Sequence, residues 1–246
     1  MVRTPAWVTD RPVAHRGLHC ADLPENSLAA FEMAVDVGLP LELDVHASLD
    51  AEAVVFHDES LLRMTGTQGD VRAWPWHRLR ELNLSGTTER IPSLAQVLRM
   101  VGGRVPVVIE VKNSGVVGVI ERSVARVVDR YAGPVAVQSF NPLSLAWFRR
   151  ERPEIPRGLL AGDMKDSDFG VAKRVLLQRM LLSPHVRPAY VGYDLQALPE
   201  PSASLLRRLG LPLLAWTVRT RDEQTRAMQL ADNYIFEFVE PISVRP

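Results

Sequence analysis

Short apolar runs alternate with amphipathic stretches along most of the chain. Apolar runs of four to eight residues bounded by turn residues are typical of buried strands, and apolar positions spaced three to four apart are typical of helices. The strands are predicted at residues 13–15, 41–45, 53–56, 105–112, 135–139, 157–160, 190–193, 212–218 and 234–238. The helices are predicted at residues 27–37, 93–101, 116–131, 142–150, 171–182, 202–209 and 221–229.

This alternation predicts an α/β protein with a parallel sheet, most simply a TIM (β/α)8 barrel. A chain of 246 residues is an ordinary size for one such domain, so residues 1–246 are predicted to form a single domain. Residues 58–92 interrupt the alternation with scattered glycines and a Trp-Pro-Trp sequence. We expect this segment, about 58–92, to form a small inserted lobe that roofs a site.

The predicted strand at residues 41–45 carries an acid at every second position. Successive side chains of a strand point to opposite faces, so Glu42 and Asp44 share one face. At about 5 Å and an effective dielectric near 20, two carboxylates repel by roughly 3 kcal/mol. Glu110 lies on a second apolar strand, and a set of three oxygen ligands suits Mg²⁺ or Ca²⁺ better than zinc. An acid that pairs with a nearby Arg or Lys is the alternative, which we would favour for one acid alone.

Polar residues follow the ends of several predicted strands. In α/β barrels the carboxyl ends of the strands carry the chemistry, so these positions select one face of the predicted barrel. The residues are His15, Arg16, Glu42, Asp44, Glu110, Lys112, Gln138, Tyr193, Asp194 and Trp216.

Charge and cysteine content narrow the possible partners and the compartment. Lysine plus arginine and aspartate plus glutamate number 29 each, and no long basic run offers a nucleic-acid surface. A single cysteine, Cys20, is consistent with a reducing compartment. Neither a signal peptide nor an integral membrane segment is predicted, so we expect a cytoplasmic protein. The oligomeric state stays open.

Several short motifs occur in a fixed order from the first predicted strand to the seventh. They are His15-Arg16-Gly17, Pro24-Glu25-Asn26-Ser27, Glu42-x-Asp44, Val54-Val55-Phe56-His57-Asp58, Ile91-Pro92-Ser93-Leu94, Glu110-Val111-Lys112, Gln138-Ser139-Phe140 and Trp216-Thr217-Val218. Each motif is weak alone, but the ordered set is specific. In these motifs the chain resembles the glycerophosphodiester phosphodiesterase family.

The resemblance implies a TIM barrel with a lobe inserted after the second strand. It also implies a divalent cation, Mg²⁺ or Ca²⁺ with Mn²⁺ as a further candidate, bound by Glu42, Asp44 and Glu110. His15 and His57 would transfer protons. The activity would be hydrolysis of a small-molecule glycerophosphodiester to glycerol 3-phosphate and an alcohol, a reaction of lipid and glycerol metabolism.

The remaining candidate residues follow from the chemistry of a phosphodiester. Arg16 offers a planar fork of donors and Lys112 a point charge for the phosphate. Gln138 and Trp216 are predicted substrate contacts, with a polar core group and a filler of the barrel mouth as their alternatives. Glu25 is expected to touch the site, with support of Arg16 or capping of a helix as the alternatives. Asp58 is expected to orient His57.

The chain departs from the family pattern at three places. Ala51 replaces the usual glycine before the histidine strand, and Arg219 replaces the asparagine that commonly follows Trp-Thr-Val. Residues 234–238 replace the usual Gly-Ile-x-Thr-Asp ending. The last two changes bear on substrate preference more than on phosphate chemistry.

Other functions remain open at this point. A lysophospholipase D-like phosphodiesterase would use the same groups on a lipid headgroup. Lys112 could form a Schiff base, as in barrel aldolases, and a phospho-ligand binding protein without catalysis is a third class. The sequence does not separate attack by water from attack by the substrate's own hydroxyl, nor does it assign acid and base to the two histidines.

Overall fold

Strands and helices alternate along the computed structural model, which describes residues 4–113, 115–163 and 178–242. The predicted strands are all found within the described residues, with ends shifted by up to two residues. Their bounds are β1 Val13–Ala14, β2 Leu41–Ala47, β3 Ala53–Val55, β4 Val107–Val111, β5 Val135–Ser139, β6 Arg157–Ala161, β7 Tyr190–Asp194, β8 Leu213–Val218 and β9 Asn233–Phe236.

The observed bounds of the helices agree most closely with the predicted bounds where a capping residue precedes the helix. The first seven are α1 Trp7–Asp10, α2 Leu28–Asp36, α3 Leu62–Thr65, α4 Trp76–Leu79, α5 Leu94–Val101, α6 Val119–Val128 and α7 Pro142–Glu151. Three more follow, α8 Ser183–Val186, α9 Pro201–Arg208 and α10 Arg221–Leu230. Residues 171–177 of the helix predicted at 171–182 lie outside the described residues. The helix predicted at 116–131 is shorter, because its N-cap is Gly118, with φ 106°.

The chain divides into two compact units, one of which comprises Ala14–Val135. In this unit β1 and β4 both pair with β2 in parallel, and the register sets Asp44 beside Glu110. Every residue of β4 is buried. The paired strands β2 and β4 therefore carry their acids into one small volume.

β3 departs from the parallel pattern, since it pairs with β2 antiparallel. The two strands are joined by a tight turn in which the Ala51 N–H donates to the Ser48 carbonyl at 3.0 Å. Ala51 has φ 61°, a left-handed conformation that glycine adopts at lower cost. The turn expected at this departure from the family pattern is present with alanine in it.

The segment 58–92 contains short helices and shares a small hydrophobic cluster with β3 and the residue after it. We call this the lobe cluster. Three partly buried residues, Trp74, Trp76 and Leu82, pack against it. Its buried members are Val54, Phe56, Leu61, Met64, Val71, Leu79, Leu84 and Ile91.

The second unit comprises Met1–Val13 and Ala136–Pro246. The strands β5 to β9 pair in sequence, and each of the four pairings is parallel. Buried apolar side chains cover both faces of these strands, as expected for a parallel sheet between helices. Among the described residues, no helix has the length and apolar character needed to cross a bilayer.

Candidate active site

Glu42 and Asp44 on β2 and Glu110 on β4 form a buried acid cluster. One carboxylate oxygen from each lies within 4.8 Å of the others. The side chains of Glu42 and Asp44 are 1% and 0% exposed. This proximity follows from the sequence, because Glu42 and Asp44 share a strand face and Glu110 is the register partner of Asp44.

Two cationic side chains contact the acid cluster. Lys112 Nζ lies 3.0 Å from Asp44 Oδ1 and 2.7 Å from Glu110 Oε1. Arg16 Nε lies 3.2 Å from Asp44 Oδ2, and the Arg16 backbone N–H donates to Glu42 Oε2 at 3.3 Å. The acids therefore do pair with Lys and Arg, as the alternative interpretation expected. However, these two cationic side chains are shared among the three carboxylates.

The pKa values of the three acids respond differently to this shared environment. Burial and the neighbouring carboxylates raise the pKa of Glu42 well above its usual value. Burial also raises the pKa of Glu110, although Lys112 partly opposes it. At Asp44 the effect of burial is outweighed by Lys112, His57 and Arg16, so its pKa is depressed. Ionisation of all three acids together requires further positive charge.

The acid cluster fits a hard divalent cation. Its donors are carboxylate oxygens, they converge from two neighbouring strands, and their excess of negative charge is buried. Such donors suit Mg²⁺, Ca²⁺ or Mn²⁺. Glu42, Asp44 and Glu110 are the residues that would hold the ion.

Asn26 connects the first turn of the unit to the acid cluster. Its Nδ2 donates to Asp44 Oδ2 at 2.9 Å, and its Oδ1 accepts from the Asp44 backbone N–H at 3.3 Å. Asn26 has φ 57°, a conformation that asparagine tolerates better than most residues. The next residue, Ser27, caps α2 by accepting from the Ala30 N–H. One short turn therefore begins a helix and orients a metal-ligand candidate.

The two predicted catalytic histidines lie in the same unit. His15 Nε2 is 3.8 Å from Glu42 Oε2. His57 Nδ1 donates to Asp58 Oδ1 at 2.6 Å, while the His57 carbonyl accepts from His46 Nε2 at 3.0 Å. Burial is the main cause that lowers the pKa of His57, although Asp44 and Asp58 oppose it. The contact of Asp58 with His57 is the one that the sequence predicted.

Sequence reasoning missed Arg63, which lies on α3 in the segment 58–92. Its guanidinium donates to Asp58 and to Glu25, and Glu25 also accepts from Arg16 Nη1 at 2.8 Å. Glu25 therefore pairs with Arg16, as one of its three predicted roles requires. The segment after His57 has no clear period, so no sequence pattern directed Arg63 toward these acids.

Gln138 and Trp216 belong to the other compact unit. Gln138 is 2% exposed and its Oε1 accepts from the Tyr190 hydroxyl at 3.2 Å. Trp216 packs edge-to-face on Phe140, with ring centroids 5.5 Å apart. Their roles as substrate contacts remain predictions, and their polar-core and filling alternatives are consistent with these contacts.

Comparison with known proteins places the chain among phosphodiesterases. The model of the glycerophosphoryl diester phosphodiesterase family matches residues 15–236. A glycerophosphodiester phosphodiesterase of Caldanaerobacter subterraneus subsp. tengcongensis is 28% identical over 229 residues, which are 88% of this chain and 89% of that protein. Human lysophospholipase D GDPD1 is 33% identical over 132 residues, 48% of this chain and 41% of that protein.

Solved structures share the fold. An Oleispira antarctica phosphodiesterase, solved in complex with the product sn-glycerol-3-phosphate, aligns with a TM-score of 0.78 at 24% identity and covers 94% of this chain and 93% of its own. The predicted TIM (β/α)8 barrel is confirmed, as is the prediction of a phosphodiesterase enzyme. The family match extends over far more than half of the chain, so this chain belongs to the glycerophosphoryl diester phosphodiesterase family.

Proposed function

We propose that this chain hydrolyses glycerophosphodiesters to glycerol 3-phosphate and an alcohol, with a divalent cation on the acid cluster and proton transfer by His15 and His57. One observation carries the proposal: three buried carboxylates converge within 4.8 Å beside His15, Arg16 and Lys112. Family membership and the product seen in the Oleispira enzyme support this substrate class.

The cationic side chains would balance the charge of the phosphate. Arg16 can present its planar fork, and Lys112 adds an ammonium group that is already held by Asp44 and Glu110. A divalent cation bound by the acid cluster would supply Lewis acidity toward a phosphoryl oxygen. Burial of the site strengthens each of these electrostatic interactions.

The histidines would carry the protons. Asp58 holds a proton on His57 Nδ1, which leaves Nε2 as the nitrogen that exchanges a proton with the substrate. His15 lies beside the acid cluster, where its Nε2 faces Glu42 Oε2. A pair of imidazoles can deliver a proton to the leaving oxygen and remove one from the attacking hydroxyl.

A Schiff-base aldolase is disfavoured by the surroundings of Lys112. Burial alone would lower the pKa of its ammonium group, but Asp44 and Glu110 outweigh that effect and raise it. A lysine amine that stays protonated at neutral pH is a poor nucleophile toward a carbonyl. Borohydride reduction in the presence of a carbonyl substrate should therefore leave Lys112 unlabelled.

Lysophospholipids are the second candidate substrate class. Human lysophospholipase D GDPD1 is similar to about half of this chain.

The deciding experiment measures glycerol 3-phosphate release from glycerophosphocholine, glycerophosphoethanolamine and glycerophosphoglycerol, and acylglycerol 3-phosphate release from a lysophospholipid, before and after chelation. Activity should vanish with EDTA and return with Mg²⁺, Ca²⁺ or Mn²⁺. Activity that survives thorough chelation would contradict the metal-dependent scheme. Release of glycerol 3-phosphate from none of the three glycerophosphodiesters would contradict the proposed activity.

His57→Ala tests the proton-transfer assignment. Turnover should fall by about a hundredfold to ten-thousandfold, because general acid–base catalysis contributes that much, while Mn²⁺ binding persists. His77→Ala removes an exposed histidine of the lobe segment and serves as the matched control. Equal turnover in both variants would reject the role of His57.

A further inference from the structure

We propose that Arg63 is a positioning residue that holds His57 and Arg16 in their working orientations through Asp58 and Glu25. The inference rests on the proposed function, since it assigns a part in that reaction to a residue outside the acid cluster. Through Arg63, the segment 58–92 would contribute to the geometry of the site.

A single guanidinium bridges two carboxylates from different parts of the chain. Arg63 Nε donates to Asp58 Oδ2 at 2.6 Å and Nη2 donates to Asp58 Oδ1 at 2.9 Å. Nη2 also donates to Glu25 Oε1 at 2.7 Å, and Nη1 donates to Glu25 Oε2 at 3.1 Å. Both acids are held through two oxygens, a geometry that lysine cannot reproduce.

Each of these carboxylates has a second partner in the site. Asp58 Oδ1 accepts from His57 Nδ1 at 2.6 Å. Glu25 Oε1 accepts from Arg16 Nη1 at 2.8 Å, and Arg16 in turn contacts Asp44. Arg63 thereby fixes both the histidine and the arginine that the proposed reaction needs. We call Arg63, Glu25 and Asp58 the Arg63 network.

The backbone around Arg63 is held by the lobe cluster. The adjacent Met64 is a buried member of that cluster, as is Leu61 at the N-cap position of α3. A helix of four residues has little stability of its own, so packing of the lobe fixes where the Arg63 side chain begins. The Arg63 network therefore transmits the position of the lobe to His57 and Arg16.

The exposure of the Arg63 side chain distinguishes a positioning role from a role in folding. The Arg63 side chain is 48% exposed. Exposed ion pairs contribute little to the free energy of unfolding, so loss of Arg63 should leave the protein folded. Displacement of a reacting group by about 1 Å, in contrast, can cost about a hundredfold in rate.

The test compares Arg63→Ala and Arg63→Lys with the control Arg80→Ala in the presence of the activating metal. Arg80 is another exposed arginine of the inserted segment and is paired with Glu81. In Arg63→Ala we expect kcat to fall about tenfold to a hundredfold, with partial rescue by guanidinium ion. Arg63→Lys should be intermediate, and Arg80→Ala should match the wild type.

A double-mutant cycle identifies the route of the effect. If Arg63 acts through Asp58, the decrease in kcat of Arg63→Ala combined with Asp58→Asn should be smaller than the product of the two single decreases. Unchanged kcat in Arg63→Ala, or multiplicative effects in the double variant, would overturn the proposal. A decrease that guanidinium does not rescue and that accompanies a lower melting temperature would also overturn it.

One measurement is independent of turnover. In the wild type, the His57 Nδ1 proton should give a low-field NMR resonance, because it is held by Asp58 at 2.6 Å. The resonance should broaden or shift upfield in Arg63→Ala and persist in Arg80→Ala. If the wild type hydrolyses none of the four substrates, the proposed function fails, while the resonance still decides whether Arg63 positions His57.

Discussion

The acid cluster and the Arg63 network both hold carboxylates against cations, but they differ in burial. Asp44 and Glu42 are 0% and 1% exposed, whereas Asp58 and Arg63 are 23% and 48% exposed. The buried acids share two cations with one another. Asp58 and Glu25 each accept hydrogen bonds through two oxygens from the Arg63 guanidinium. Similar ion pairs therefore perform different tasks in one unit.

Burial decides what each group of charges contributes. A buried charge lowers the free energy of unfolding unless it is paired, so the acid cluster can attract a cation strongly. For the same reason, substitutions that remove one of its charges should be costly. An exposed pair is screened by water and salt, so the Arg63 network adds orientation more than stability. Substitutions that remove one charge at a time from each region test whether burial accounts for this difference.

The largest effect is expected from Asp44→Asn. This change removes a ligand candidate and the partner of both Lys112 and Arg16. Turnover should fall by at least about a thousandfold, equal to about 4 kcal/mol in activation free energy. Mn²⁺ binding followed by electron paramagnetic resonance should weaken in parallel, whereas Asp50→Asn, at an exposed acid, should keep both. Retention of Mn²⁺ affinity in Asp44→Asn would exclude Asp44 as a ligand.

A smaller effect is expected from Lys112→Met. The variant leaves Asp44 and Glu110 without the ammonium group that contacts both. Removing one partner of a buried pair should lower the free energy of unfolding by about 3 kcal/mol in urea titrations without added metal. Arg90→Met, which breaks an exposed pair with Glu81, should cost less than about 1 kcal/mol. Equal costs for the two variants would contradict the contrast in burial.

The smallest effect is expected from Asp58→Asn and depends on pH. Arg63 is the main cause that holds the Asp58 pKa at about 2. Because the folded pKa lies below the unfolded value of about 3.9, Asp58 stabilises the protein fully above pH 4 and loses that contribution as the pH falls through 2. The free energy of unfolding should differ between wild type and variant by about 1 to 2 kcal/mol at pH 7 after screening is considered.

Urea titrations at several pH values check this prediction. The gap between wild type and Asp58→Asn should be constant from pH 7 to pH 5 and should shrink between pH 4 and pH 3. A gap that widens on acidification would mean that Asp58 is not held ionised by Arg63.

The three acids of the site were predicted from the sequence because strand alternation and parallel pairing determine their positions. Alternation along β2 places Glu42 and Asp44 on one face, and parallel pairing brings Glu110 beside them. The position of Arg63 was not predicted, because the sequence of the segment 58–92 has no clear period that would give its side chain a direction. The antiparallel pairing of β3 was not predicted, because an apolar run of three or four residues fits either strand direction.

Gly17 limits how far this unit can be redesigned. It follows Arg16 with φ 81°, and a Cβ built on it would lie 2.7 Å from the carbonyl carbon of Ala30 in α2. Any side chain at this position would push the first turn away from the helix and carry Arg16 with it. Libraries that seek altered substrate preference should therefore hold Gly17 constant.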